Sequence, residues 1–425
     1  MDQSPEQYKW NIPYRARPAK GKRALWLESA KRHPNHKLVQ GVIGAGGRAP
    51  LYCNPIVLFL LNWLMMLACL DFHVTYVSYP HPGLPLLLFA LSTASLLFGY
   101  AVSRMLLRKP GERSRTEVYV LDVSRMVNLN TIFCGAALLI VIFNWVTLGP
   151  PPAIGDPTSY LTYGRFRQVL FPLLTLITVN ATLDPSRLRR YLFVAFGLLG
   201  LAVYITRGLM VVTLLEAFFV FSLTTKMNRK KLYGLALGCV AFLIAGATLI
   251  GNMRTAHALF LDFLQIREKY FDWPMASLWL TSYVSIPISN LCWILDTAHY
   301  HGPTLAFLYP LLPSFVTPVD PHLAIHDDLR IIDGASTYLA AFALDFSYFG
   351  VYLANLLLGL GAGWLMERGL PRQILVSSIF LTCMSLICFS DMFSPLSTVI
   401  QVIIQSSVQR SCFRWERQGE FEGRE

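Results

Sequence analysis

Charge is what this sequence has least of. Lys, Arg, Asp and Glu make up 14% of its 425 residues, against about 25% in soluble domains. Hydrophobic residues make up 54%, and the mean hydropathy is +0.47. Together these exclude an ordinary soluble domain. Paired cysteines are also missing. Eight cysteines occur without CxxC spacing, and Cys53, Cys69, Cys134, Cys239 and Cys383 lie in or at the edge of apolar runs. Neither a zinc site nor a disulfide framework is expected. The Gly-rich stretch 41–47 follows no clear strand and lacks the Lys-Ser/Thr of a phosphate-binding loop. No internal repeat marks an inverted-repeat transporter. No cleavable signal peptide is expected, because the first apolar run serves as its own insertion signal.

What the sequence does have is apolar segments of membrane-spanning length, roughly 20 residues each. Ten qualify or nearly so: 51–70, 84–103, 127–148, 169–183, 191–206, 208–225, 232–251, 347–366, 373–390 and 394–410. The fold class expected is an all-α polytopic membrane protein with about ten transmembrane helices. The domains are a basic tail 1–50, helices one to seven over 51–251, a large folded periplasmic loop 252–346, helices eight to ten over 347–410, and a tail 411–425.

Cations sort across these segments. Of 36 Lys and Arg residues, 29 fall in the two tails and alternate connections. Seven fall on the other side: Arg165, Arg167, Arg207, Arg254, Arg267, Lys269 and Arg330. Positive charge is normally retained in the cytoplasm, so both termini are expected there. The net charge of +11 then needs no nucleic-acid partner, and the tail 1–50 leans on anionic lipid. The run 191–225 is too long for one helix. Arg207-Gly208 breaks it into a hairpin with Arg207 at the extracytoplasmic tip, since a charge at mid-bilayer costs about 3 kcal/mol.

Arginine binds phosphate through planar, bidentate hydrogen bonds and keeps its charge. Arg165, Arg207 and Arg254, at the ends of different helices on one level, are candidates for an anionic ligand, and Arg330 is a fourth. The loop 252–346 holds nine acids and four bases, with many aromatics and prolines. Such a composition points to a folded loop rather than a disordered tether. Its stretches 273–295 and 304–319 are apolar enough to enter the bilayer. Its Asp-Pro-His and His-Asp-Asp clusters hold His322 and His326 four residues apart. Pro321 argues for an irregular stretch, so a base or a hydroxyl contact is expected rather than a metal. Glu216 is the lone acid inside an expected span, a functional candidate by default.

The order of these features resembles the O-antigen polymerase family, the repeat-unit polymerases of bacterial surface polysaccharides. The resemblance covers roughly 50–410. It rests on Thr206-Arg207-Gly208 between two spans, and on Tyr283, Pro287 and Asn290 followed by Gly302, Pro310 and Pro313. It also rests on Ser336-Thr337-Tyr338, Ala343-Leu344-Asp345-Phe346, Gly350 and Leu357-Leu358-Gly359-Leu360. Ser347 stands where glycine is usual. The resemblance implies a membrane-embedded glycosyltransferase, similar to the GT-C-like enzymes, in the bacterial inner membrane. Its substrate is a polyprenyl-diphosphate-linked oligosaccharide, and it uses no nucleotide sugar, metal or cofactor. A chain-length-regulating co-polymerase is a possible partner. Arg165, Arg207, Arg254 and Arg330 are then expected to hold the diphosphate. Asp345, His326 and Asp333 are candidates for the catalytic base. Tyr283, Asn290 and Tyr338 are candidates for glycan contact. An O-antigen ligase, and second a polysaccharide flippase or transporter, remain alternatives.

Overall fold

The structure is a computed structural model describing residues 36–39, 51–107, 117–156, 159, 163–225, 234, 237–238, 261, 265–297, 305–312, 337–370, 373–387, 392–393 and 395–417. These residues are mostly helical. In chain order the helices are α1 (Pro55–Asp71), α2 (Gly83–Leu107), α3 (Val123–Leu148), α4 (Arg167–Ala181), α5 (Arg187–Val203), α6 (Arg207–Thr224), α7 (Met275–Thr297), α8 (Ala340–Trp364), α9 (Ile374–Ser385) and α10 (Leu396–Cys412). Four of the described helices are long and apolar enough to cross a membrane: Gly83–Leu107, Val123–Leu148, Met275–Asp296 and Ala340–Arg368. Shorter apolar helices cover Pro55–Asp71, Arg167–Ala181, Gly208–Thr224 and Ile374–Ser385. The protein is therefore a helical one built for a membrane. The outward faces agree: α3 leaves Ile132, Leu139 and Val146 at 63%, 69% and 80% exposure, an apolar stripe that water would penalise.

One element departs from the all-α expectation. Strands β1 (His36–Val39), β2 (Glu117–Asp122) and β3 (Phe413–Arg417) form an antiparallel sheet in the order β1-β2-β3. Hydropathy does not report so short a sheet. It joins the two tails and the α2–α3 connection, and Asp122 goes straight into α3, its carboxylate capping the Arg125 N–H at 3.0 Å. The sheet thus marks one end of the bundle, where α2 and α10 finish and α3 begins. The opposite end is the far end of the bundle.

Small residues let the helices approach. α2 and α8 run parallel, and a Cβ on Gly359 would lie 2.2 Å from the Leu96 carbonyl oxygen, one on Gly99 2.3 Å from that of Leu356. Such close backbone contact is the usual way to gain dispersion energy where lipid removes the hydrophobic drive. Asn355 Nδ2 donates to Ser92 Oγ at 3.1 Å, and Arg104 pairs with Glu367 at 2.6 Å at the sheet end. α4 is the central helix, with every residue from Leu170 to Ala181 buried. Asn130 and Asn180 tie it to α3.

The described part of the stretch 252–346 is largely helical. It contains α7, which packs Val284, Ile288 and Leu291 against Phe59, Trp63 and Met66 of α1 and against Ala343 and Val351 of α8. The α1–α2 connection runs alongside it. Phe72 meets Trp273, Val77 accepts from Trp293 Nε1 at 3.0 Å, and Tyr79 N–H donates to Ser289 Oγ at 3.3 Å. The expected span 232–251 lies, apart from 234, 237 and 238, outside the described residues.

Candidate functional site

Three chain segments meet at the far end of α3. Asn144, fully buried near the end of that helix, accepts the Arg165 N–H at 2.9 Å. Its amide donates to the Arg165 carbonyl at 3.2 Å and to the Tyr204 hydroxyl at 3.0 Å. One side chain therefore joins α3, the turn before α4 and the tip of the α5–α6 hairpin. Tyr204 packs edge-on to Phe171, 5.7 Å between centroids, and against Tyr163, also 5.7 Å.

The turn before α4 is tight. Gly164 has φ +110°, and a Cβ there would lie 3.0 Å from the Arg167 stem and 3.2 Å from the Tyr204 ring. Phe166 follows in the left-handed region at φ 58°. Arg165 is exposed. Arg167 is half-buried, its guanidinium 5.2 Å from the Phe171 ring centroid.

The hairpin tip has the same character. Ile205 has φ 53°. The Thr206 hydroxyl donates back to the Leu201 carbonyl at 2.9 Å, so it does not cap the helix it precedes. Arg207 is the first residue of α6. Neither α4 nor α6 has a side-chain cap at its N-terminus. The two helices run parallel and touch through Thr175 Oγ1 and Thr213 Oγ1 at 2.8 Å. These contacts are eight and six residues from the helix starts, an offset of about 3 Å. Two helix N-termini therefore end side by side. Each presents the positive end of its helix dipole, about half a charge, which suits phosphate. Arg165 and Arg167 lie at the first of these N-termini, and Arg207 is the first residue of the second helix.

A second cluster surrounds a kink in α8. Ser347 has φ 54° and ψ −138°, and it breaks that helix into two arms. The arms fold together so closely that a Cβ on Gly350 would lie 1.9 Å from the Phe342 carbonyl oxygen. Asp345 sits two residues before the kink and is fully buried. Its carboxylate accepts the Phe307 N–H at 3.1 Å, and the Phe307 ring stacks on Phe342 at 4.7 Å. The turn Ala306–Leu311 thus covers this acid. Beside it, Tyr79 and Trp293 meet edge-on at 5.1 Å. Burial, and next a hydrogen bond with Asp296, push the Tyr79 hydroxyl up to about 12.

Two expected glycan contacts prove to be core residues. Tyr338 is 4% exposed and donates its hydroxyl to Asn355. The first arm of α8 folds back against the second and carries Tyr338 inward, away from the surface. Asn290 is also fully buried, on the face of α7 turned into the bundle. Tyr283 is half-buried and stacks on Trp279 at 5.1 Å. Arg254, Arg330, His326 and Asp333 lie outside the described residues. Sequence reading passed over Asn144, Tyr204 and Tyr79. A signal existed for the first, since an Asn inside an apolar span needs a buried partner. No family model, no curated protein and no solved structure matches this chain.

Proposed function

We propose that the protein is a membrane glycosyltransferase that polymerises polyprenyl-diphosphate-linked oligosaccharide units, with the far end of the bundle outside the cytoplasm. The observation that carries this reading is the pair of uncapped helix N-termini, one preceded by Arg165 and opened by Arg167, the other opened by Arg207. In this reading they hold the donor diphosphate. The acceptor hydroxyl attacks the anomeric carbon of the donor glycan, the bond from that carbon to the diphosphate oxygen breaks, and the leaving diphosphate takes the electron pair. Its developing charge meets fixed cations and dipoles, which stabilise it without reorganisation. The acceptor proton passes to a carboxylate or imidazole, with Asp345, His326 and Asp333 as candidates. Asp345 reaches a hydroxyl once the turn over it opens.

Charge sorting supports the orientation. The sheet gathers the two basic tails and the α2–α3 connection at one end, which positive-inside retention assigns to the cytoplasm. Ten spans, both termini cytoplasmic, remain the proposed topology. Arg207→Ala is expected to abolish long glycan chains on the cell surface while single repeat units persist. Wild-type chain lengths at normal expression would overturn the reading, and loss of every unit would favour a ligase.

A further inference from the structure

We propose that Glu216, Ser378, Thr382, Gln401 and Gln405 form a buried site for a small monovalent cation, independent of the diphosphate reading. Glu216 lies on α6, nine residues past Arg207, and is fully buried. Gln401 and Gln405, one turn apart on α10, donate to its two carboxylate oxygens at 2.5 Å and 2.6 Å. Ser378 of α9 lies beside the same carboxylate. Thr382 follows one turn along that face.

The balance of charge there is incomplete. The described elements around Glu216 bring no cation to it. α4 carries Arg167 at its far-end start, and α5 carries Arg187, Arg189, Arg190 and Tyr191 near its sheet-end start. α9 contributes Cys383, and α10 has Arg410 and Cys412 in its last turn. Tyr52 and Cys53 pack near Phe218 and Ser222, towards the other end of α6. Amide dipoles stabilise a buried carboxylate, but when it is ionised they leave its net charge of −1. An uncompensated charge at such depth is costly.

Two buried oxygens on these helices are unsatisfied too. Thr382 Oγ1 and Gln405 Oε1 are buried and have no hydrogen-bond partner, although buried polar atoms normally find one. A half-turn of each amide exchanges N–H for C=O. The carboxylate, both amide oxygens and the Ser378 hydroxyl then offer oxygen donors with one negative charge, with the Thr382 hydroxyl proposed as a further donor one turn along α9. A single positive charge makes that set neutral. Sodium and a proton are the two sources of it.

The test uses full-length protein in lipid nanodiscs, melted in sodium chloride against choline chloride at constant ionic strength. A saturable rise in melting temperature with sodium, absent in Glu216→Gln, is expected for a sodium site. Stabilisation by acid instead, likewise lost in Glu216→Gln, supports the same site with a proton as its occupant. Thr382→Val keeps shape and removes one oxygen. It should weaken sodium dependence at least tenfold, and it serves if Glu216→Gln does not fold. No response to sodium or acid in the wild-type protein, or an unchanged sodium response in Thr382→Val, would overturn the sodium site. An unchanged response to both in Glu216→Gln would overturn the proposal altogether.

Discussion

Ser347 holds φ 54° and ψ −138° inside α8, a region that only glycine enters freely. A side chain there stores about 1–3 kcal/mol. Ser347→Gly removes that strain and adds about 0.5–1 kcal/mol of unfolded-chain entropy. The net expectation is a gain of about 1 kcal/mol, read as a higher melting temperature in detergent. A lower melting temperature would mean that the kink rests on the serine hydroxyl. The sequence had already set this position apart, because the resembling family has glycine there. The neighbouring Asp345 was less legible. Its acid, followed by an apolar run, fits the start of a span at the surface. Only the fold-back at Ser347, with Phe307 over it, buries it.

Among the elements, α2 and α8 are the pair whose contact is most restrictive. Gly359→Ala places a methyl 2.2 Å from a backbone oxygen. The helices must separate, at about 1–3 kcal/mol. Gly135→Ala on α3 meets nothing within 4 Å and should stabilise that helix by up to about 1 kcal/mol. Comparing the two variants by thermal melting separates contact from propensity. Equal effects would sink the proposed close packing. Ser95, Gly99 and Ser103, like Gly359 and Gly363, stand four residues apart, yet such spacing on one helix does not name its partner. The helix α7 was harder to recognise as part of the bundle. Its Ser277, Thr281, Ser282, Ser285, Ser289 and Asn290 lower its hydropathy. Most of these are buried, so they lower the apolar signal without making the helix a surface one.

For the whole molecule, the charge pattern yields a direct test of the proposed orientation. With native cysteines replaced, a membrane-impermeant maleimide applied to intact spheroplasts should label Glu268→Cys at the far end. It should label Ser411→Cys only after lysis. The reverse pattern would invert the proposed orientation. The convergence of Asn144, Arg165 and Tyr204 was not readable, since they lie 21 and 60 residues from Asn144. Nothing local fixes such a distance.

The three-stranded sheet has a consequence for biosynthesis. Its first strand precedes every described helix in the chain, and its last directly follows α10. β2 already has β1 on one side, but its other edge stays open until β3 has been made. The closure of this end of the bundle therefore waits for β3, and a stop codon before residue 413 leaves all ten described helices encoded but that edge exposed to other chains.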